Sequence, residues 1–232
     1  MHSGGVQMRK IAGIVGGMGS LSTVDFLKKV VESTYAEKDQ DHIRMIVDFN
    51  TSVPDRTTAI LHNGEDPTPY LVDSVKRLEK AGADFALFVC NTAHAFLGKV
   101  QGQVNIPILN LPKLALEKLA SVGVKSAWLT GTKGLIASGM YQKVAREVGF
   151  ELKVPDLSVQ DAVMNVIYSV KAGKLEEARK VWLEKVEPHL DGYVLLACTE
   201  LPVVACSNRL KLVDLNELWA KMIVEMCGGR LR

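Results

Sequence analysis

Eight short apolar runs, spaced so that helices fit between them, constrain this chain more than any other feature. The runs are Lys10–Val15, Arg44–Phe49, Asp84–Val89, Ile106–Leu109, Lys125–Thr130, Phe150–Val154, Tyr193–Ala197 and Leu210–Val213. Several carry almost no polar residue, which is how strands read when both faces of a parallel sheet are covered. Amphipathic stretches fill the intervals. Ser22 can cap a helix on which Val24, Leu27, Val31 and Tyr35 recur at helical spacing. Ser158 does the same for Val159, Val163, Val166 and Ile167. Pro69 opens a helix that Gly82 closes, and Gly123 and Gly149 sit where helix C-terminal glycines are expected. Strands alternating with helices make an α/β protein.

The order contains a repeat. A strand ending in Gly16-Gly17-Met18-Gly19 is followed later by Phe85–Val89, which ends in Cys90-Asn91-Thr92. In the second half a strand ends in Thr130-Gly131-Thr132-Lys133-Gly134, and the later Tyr193–Ala197 ends in Cys198-Thr199-Glu200. Val15 to Cys90 spans 75 residues and Leu129 to Cys198 spans 69. The expectation is two pseudo-symmetric lobes, each a four-stranded parallel sheet flanked by helices. They cover residues 8–110 and 111–213, with a C-terminal helix over about 214–232 packing back on the first lobe. Ligands of open α/β sheets bind beyond the carboxyl ends of strands. Both cysteines fall there, so facing lobes would set the two sulfurs across one cleft. Asn50 to Tyr70 fits neither element type. It is polar, carries Pro54, Gly64, Pro67 and Pro69, and reads as a long loop, functional or disordered. Within it, Pro54-Asp55-Arg56-Thr57 can bring a charge to a ligand.

Composition removes other classes. The chain has 232 residues and a net charge of +2, with no Lys/Arg block interleaved with aromatics, so nucleic acid is not an expected partner. No apolar run reaches the ~18 residues of a membrane helix. Residues 1–7, MHSGGVQ, read as an expression remnant ahead of Met8 rather than a signal peptide. The four cysteines, Cys90, Cys198, Cys206 and Cys227, form no C-x-x-C pair, and no Cys/His spacing fits zinc. No metal site is expected. The expected setting is a reducing cytoplasm with free thiols.

Two opposed thiols suit one kind of chemistry. Taking the proton from an amino-acid Cα leaves a poorly stabilised carbanion, so without a cofactor the step needs a base on one face and an acid on the other. In racemisation the two groups exchange roles for the reverse direction, and mirror-image substrates have equal free energy. Two like residues, one thiolate and one thiol, meet that requirement. A free thiol has a pKa near ~8.5, and a helix N-terminus lowers it. Cys90 lies at a strand-to-helix junction, and Pro202 after Cys198 suits a first helical turn. A lone cysteine is as well explained by inert burial. The pair at matching repeat positions favours chemistry, whereas Cys206 and Cys227 have no such context and read as structural.

With those residues in hand, the chain resembles the aspartate/glutamate racemases, which work without a cofactor. The matching segments are Gly13-Ile14-Val15-Gly16-Gly17-Met18-Gly19, Pro54-Asp55-Arg56-Thr57, Cys90-Asn91-Thr92-Ala93-His94 and Ala197-Cys198-Thr199-Glu200-Leu201-Pro202. The resemblance implies two α/β lobes with the active site between them, a homodimer, a dicarboxylic amino acid as substrate, and no cofactor. It implies that Cys90 and Cys198 are the catalytic acid/base pair. Arg56 would hold a substrate carboxylate. Lys171, in the segment Ile167–Gly173, would hold the other, with Lys174 an alternative register. Asn91 and Thr92 would hydrogen-bond substrate near the first cysteine, and Thr199 near the second. Two departures stand out. Ser20 replaces the proline common after the Gly-Gly-Met-Gly turn, which loosens that turn. Glu200 stands where dedicated glutamate racemases usually have His, which points to the aspartate racemase branch.

Gly16-Gly17-Met18-Gly19 lacks a full G-x-G-x-x-G and a Walker lysine. It reads as a tight turn whose backbone N–H groups face the cleft, with Met18 and Gly19 as substrate contacts. His94 stands four residues after Cys90, so a Cys–His hydrolase is a rival reading, although a packed histidine is favoured. Phe96 and Val204 sit where a cysteine phosphatase loop needs arginine. Trp128, Trp182 and Trp219 read as core or interface aromatics. Further rivals are a relative acting on another carboxylate, of the maleate isomerase, hydantoin racemase or arylmalonate decarboxylase type, and a non-catalytic anion-binding protein.

Overall fold

The computed structural model describes residues 9–232; residues 1–8, which include the segment read above as a remnant, lie outside the described residues. The first half runs β1 (Ala12–Gly16), α1 (Ser20–Ser33), β2 (Met45–Phe49), α2 (Arg56–Leu61), α3 (Thr68–Lys80), β3 (Phe85–Phe88), α4 (Leu97–Gln101) and α5 (Leu111–Ser121). The second runs β4 (Ser126–Thr130), α6 (Lys133–Ala137), α7 (Met140–Val148), β5 (Glu151–Lys153), α8 (Leu157–Lys171), α9 (Leu175–Val181), β6 (Tyr193–Leu196), β7 (Lys211–Asp214) and α10 (Leu215–Met226). Both sheets are parallel, with order β2-β1-β3 and β5-β4-β6-β7. The fold is the expected α/β arrangement of two parallel sheets flanked by helices.

The first sheet has three strands rather than four. The segment expected at Ile106–Leu109 makes one parallel bridge, Ala86 to Ile108. Ala86 N–H donates to Pro107 O at 2.8 Å and Leu109 N–H to Ala86 O at 2.9 Å. Pro107 has no N–H to extend a ladder. On the outer edge Gln101 of α4 substitutes for a further strand, its Oε1 accepting from Ile108 N–H at 2.7 Å and its Nε2 donating to Ile106 O at 3.2 Å.

Helix starts shift for local reasons. The chain enters α1 at Ser20, so Ser22 is a buried residue of the first turn and not its cap. Val24, Val31 and Tyr35, expected inward, are 55%, 48% and 39% exposed. The buried row is Thr23, Phe26 and Val30. Thr23 fixes that rotation, because its Oγ1 accepts from Gly17 N–H and donates to Gly19 O, both at 2.9 Å. A Cβ on Gly16 would lie 2.4 Å from Thr23 Cγ2, so the close seat needs glycine. In α8 the cap is Asp156, accepting from Val159 N–H at 3.0 Å, rather than Ser158. Val159, Val163, Val166 and Ile167 are buried as expected. The supposed loop at 50–70 contains α2.

Apolar burial falls into three blocks. One lies under α3 against Val15, Ala86 and Phe88. A second packs α8 and Trp182 against Val194 and Leu196. The third is common to both sheets: Ile14, Phe26, Leu87 and Leu116 from the first half meet Leu129, Tyr141, Leu195 and Trp219. Helix α10 supplies Trp219 and Ile223 to it and is tied to α1 by Lys29, whose Nζ lies 2.6 Å from Asp25 and 2.7 Å from Asp214. The chain end returns to α1, with Tyr35 N–H donating to Arg230 O at 2.8 Å and Arg232 N–H to Ser33 O at 3.0 Å. No helix of the described residues is long and apolar enough to cross a membrane.

Candidate active site

Cys90 and Cys198 each lie two residues beyond a strand that pairs with the centre of its sheet, β3 with β1 and β6 with β4. The last paired rungs there are Val15–Phe88 and Thr130–Leu196. The same turn of topology therefore carries a thiol to the carboxyl end of both sheets. The cysteines are 7% and 8% exposed and line one pocket of about 460 Å3, mouth included. Met18, Arg56, Asn91, Thr92, Lys171 and Thr199 line it too, so of the residues expected from sequence only Gly19 is outside. Gly19 lines an adjoining cavity with Ser22, Val53 and Leu21 that shares Met18, Arg56, Lys171 and Glu200. Lys174 is elsewhere, 3.8 Å from Glu177 beside a surface hollow.

Each side chain is held by its element. Gly17 has φ +86°, and a Cβ there would meet Asn50 backbone carbon at 2.5 Å, so the β1–α1 turn cannot carry a larger residue at that point. Asp55 caps α2, accepting from Thr58 N–H at 2.7 Å and Thr58 Oγ1–H at 2.9 Å. Arg56, first in that helix, folds back so that Nη1 donates to Val53 O at 3.2 Å and Pro54 O at 3.1 Å, and Nη2 to Met18 O at 3.4 Å. Its Nε is buried without a partner. Asn91 Oδ1 accepts from Tyr141 O–H at 2.6 Å, which leaves Nδ2 a buried, unpaired donor. Thr92 and Thr132 hydroxyls share a hydrogen bond at 3.0 Å. These last two contacts join the segment after β3 to elements that follow β4.

The electrostatics differ between the two sulfurs. Burial works against the Arg56 charge, but the neighbouring Cys90, Asp55 and Glu200 outweigh it and raise its pKa. Cys198 is pushed well above the ordinary thiol range, first by burial and then by Glu200, whose Oε2 accepts from Sγ at 2.9 Å; Lys171 opposes this. Cys90 precedes a 3-10 helix, Thr92–Phe96, and Cys198 precedes the three-residue 3-10 helix Leu201–Val203. The first runs directly into α4, whereas the second is too short to build a macrodipole.

His94 does not face Cys90 Sγ. Its Nδ1 contacts Cys90 O at 3.0 Å and Asn91 O at 3.3 Å, and its ring packs on Phe88 and Trp219. Burial lowers its pKa to about 4. That geometry removes the Cys–His nucleophile pair. Cys227 is buried and Cys206 exposed, and all four thiols are free. Among the described residues no group of three His, Cys, Asp or Glu side chains is placed to hold a metal. The pocket joins two thiols to two cations and to unpaired N–H donors, an arrangement that can bind an anion and move protons beside it. Sequence reasoning missed Glu200 as a member of the site. It entered only as a departure from the glutamate racemase pattern, although its place two residues after Cys198 was a signal.

Comparison with known proteins places the chain among relatives of known kind. The family model described as Asp/Glu/hydantoin racemase matches residues 15–223. The broad specificity amino-acid racemase RacX of Bacillus subtilis (strain 168) is 28% identical over 222 residues, covering 91% of this chain and 96% of its own. The aspartate racemase of Picrophilus torridus superposes with a TM-score of 0.85 at 34% identity, covering 96% of each chain. An aspartate racemase homologue from Pyrococcus horikoshii OT3 does so with a TM-score of 0.72 at 25% identity, covering 95% of this chain and all (100%) of its own. A two-sheet α/β fold with paired cysteines on one pocket, and a family match spanning nearly all of it, place this chain in the Asp/Glu/hydantoin racemase family of isomerases.

Proposed function

We propose that the protein interconverts the L- and D-forms of an acidic amino acid, aspartate first and glutamate next, by a two-base thiol/thiolate mechanism without pyridoxal phosphate. The observation that carries this reading is that Cys90 and Cys198, from corresponding places in the two sheets, line one pocket. Arg56 and Lys171 on the same pocket supply a fork and a point charge for two carboxylates. The name of the Picrophilus torridus relative favours aspartate. The same reading carries a homodimer in a reducing cytoplasm, where its four thiols stay free.

In the mechanism the α-carboxylate and distal carboxylate take the two cations, and the unpaired Asn91 Nδ2–H and Arg56 Nε–H serve as donors to substrate oxygen. A donor or cation beside the α-carboxylate stabilises the charge that spreads from Cα as its proton leaves. One thiolate removes that proton, and the opposite thiol delivers its own to the other face. The electron pair of the C–H bond becomes that of the new C–H bond, and the configuration inverts. The reverse direction uses the same two groups with roles exchanged.

Incubation in deuterated water with L-aspartate, and separately L-glutamate, tests the reading. Deuterium should enter Cα while optical rotation falls to zero. Cys90→Ser and Cys198→Ser should each lower racemisation about 10²–10⁴-fold. Wild-type turnover in both variants would overturn the mechanism. A shift in melting temperature with dicarboxylates, without exchange, would leave only a binding protein.

A further inference from the structure

Cys198 Sγ donates to Glu200 Oε2 at 2.9 Å, and the same oxygen accepts from Thr199 Oγ1 at 3.4 Å. The other oxygen, Oε1, accepts from Ser22 Oγ of α1 at 3.4 Å. Glu200 is buried and lines both the thiol pocket and the adjoining cavity. Among the described residues no carboxylate hydrogen-bonds Cys90, which shares its pocket with Arg56. The carboxylate on Cys198 thus breaks the equivalence that the mechanism gives the two sulfurs.

We infer that Glu200 is a positioning residue that keeps the shared proton on Cys198 in the resting protein, so that the free enzyme is predominantly Cys90 thiolate with Cys198 thiol. The inference rests on the two-thiol reading above. In one half-cycle the Cys90 thiolate accepts the Cα proton and Cys198 gives its proton to the opposite face. The net change is one proton moved from Cys198 to Cys90 with the substrate inverted. The opposite half-cycle must start from a Cys198 thiolate held against a carboxylate, which like-charge repulsion makes rare. Lys171 from α8 is the group that offsets this, and Arg56 with its neighbour Asp55 from the α2 region acts on Glu200 and on Cys90. Ser22 from α1 and Thr199 contribute only neutral hydroxyls.

The consequence is kinetic. Enantiomers have equal free energy, so kcat/KM is the same in both directions whatever Glu200 does. Glu200 can only split kcat and KM. The enantiomer whose Cα–H faces Cys90 meets the abundant enzyme form and shows the lower KM and the lower kcat. Its mirror image shows both higher by the same factor.

The test is steady-state kinetics with each enantiomer of the better substrate across pH, for the wild-type protein, Glu200→Gln and Glu200→Asp. Glutamine can accept from the thiol and donate to the thiolate. Glu200→Gln should therefore bring the two kcat values toward each other and move the alkaline limb of kcat/KM to lower pH by about one unit or more. Glu200→Asp keeps the charge, retracts it by one methylene, and should fall between the two. A folded Glu200→Gln or Glu200→Asp protein with the wild-type kcat ratio and alkaline limb would overturn the inference. A role in folding alone would lower activity in both directions without changing that ratio. Failure of the two-thiol reading is told apart by Cys90→Ser and Cys198→Ser: if they keep turnover the mechanism is wrong, and if they lose it while the Glu200 variants keep the ratio, only the inference fails.

Discussion

His94 and Arg56 show what burial demands of a polar side chain. His94 is neutral because the folded protein excludes its charge down to a pKa of about 4. The unfolded chain takes up that proton near ~6.5. Between those values the unfolded state binds more protons, so stability falls as pH drops through this window, by up to roughly 3 kcal/mol, and is unaffected above it. Urea unfolding at pH 7 and pH 4.5 should show this slope, and His94→Gln should flatten it. Arg56 spreads its guanidinium over three carbonyls while facing Cys90. A lysine offers one point charge to the same set, so Arg56→Lys should lower kcat/KM roughly 10–100-fold, about 1.5–3 kcal/mol, in an assay with aspartate. Residue identity was the most legible level. The cysteines, Arg56, Asn91 and Thr92 could be named from their segments, and the pocket contains them. Direction was not legible. The i, i+4 spacing of Cys90 and His94 implies a shared face only on an α-helix, and a 3-10 turn points the imidazole at Trp219 instead.

At the scale of elements, α2 is the clearest gap between sequence and structure. Six residues between prolines are too few for hydrophobic periodicity to register. The only signal was the cap, Asp55 three residues before Thr58. Because Arg56 begins the helix that Asp55 caps, Asp55→Ala should cost about 1 kcal/mol of stability and should raise KM more than it lowers kcat, measured by urea unfolding and initial rates together. The rotation of α1 was hidden for another reason. Both of its faces carry apolar residues, and the choice between them is made by a Thr23 hydroxyl bonding the glycine turn, a contact between neighbours that periodicity does not weigh. The missing fourth strand follows from one residue, since Pro107 interrupts a ladder that the apolar run Ile106–Leu109 otherwise promises.

At the scale of the molecule, the duplication was readable because equal positions in the two halves end in the same kind of residue. How the halves are joined was not, because it depends on which helices lie between the sheets. Trp219 of α10 is fully buried where those helices meet. Trp219→Ala should cost about 3–5 kcal/mol, read as a loss in denaturant midpoint. Since one apolar block serves both sheets, there is no seam along which the polypeptide divides into self-sufficient parts. Fragments 9–110 and 111–232 expressed separately should aggregate, each leaving an oily wall bare, and should regain solubility and turnover only when produced together. Any ancestor half this length would have faced the same need for a companion.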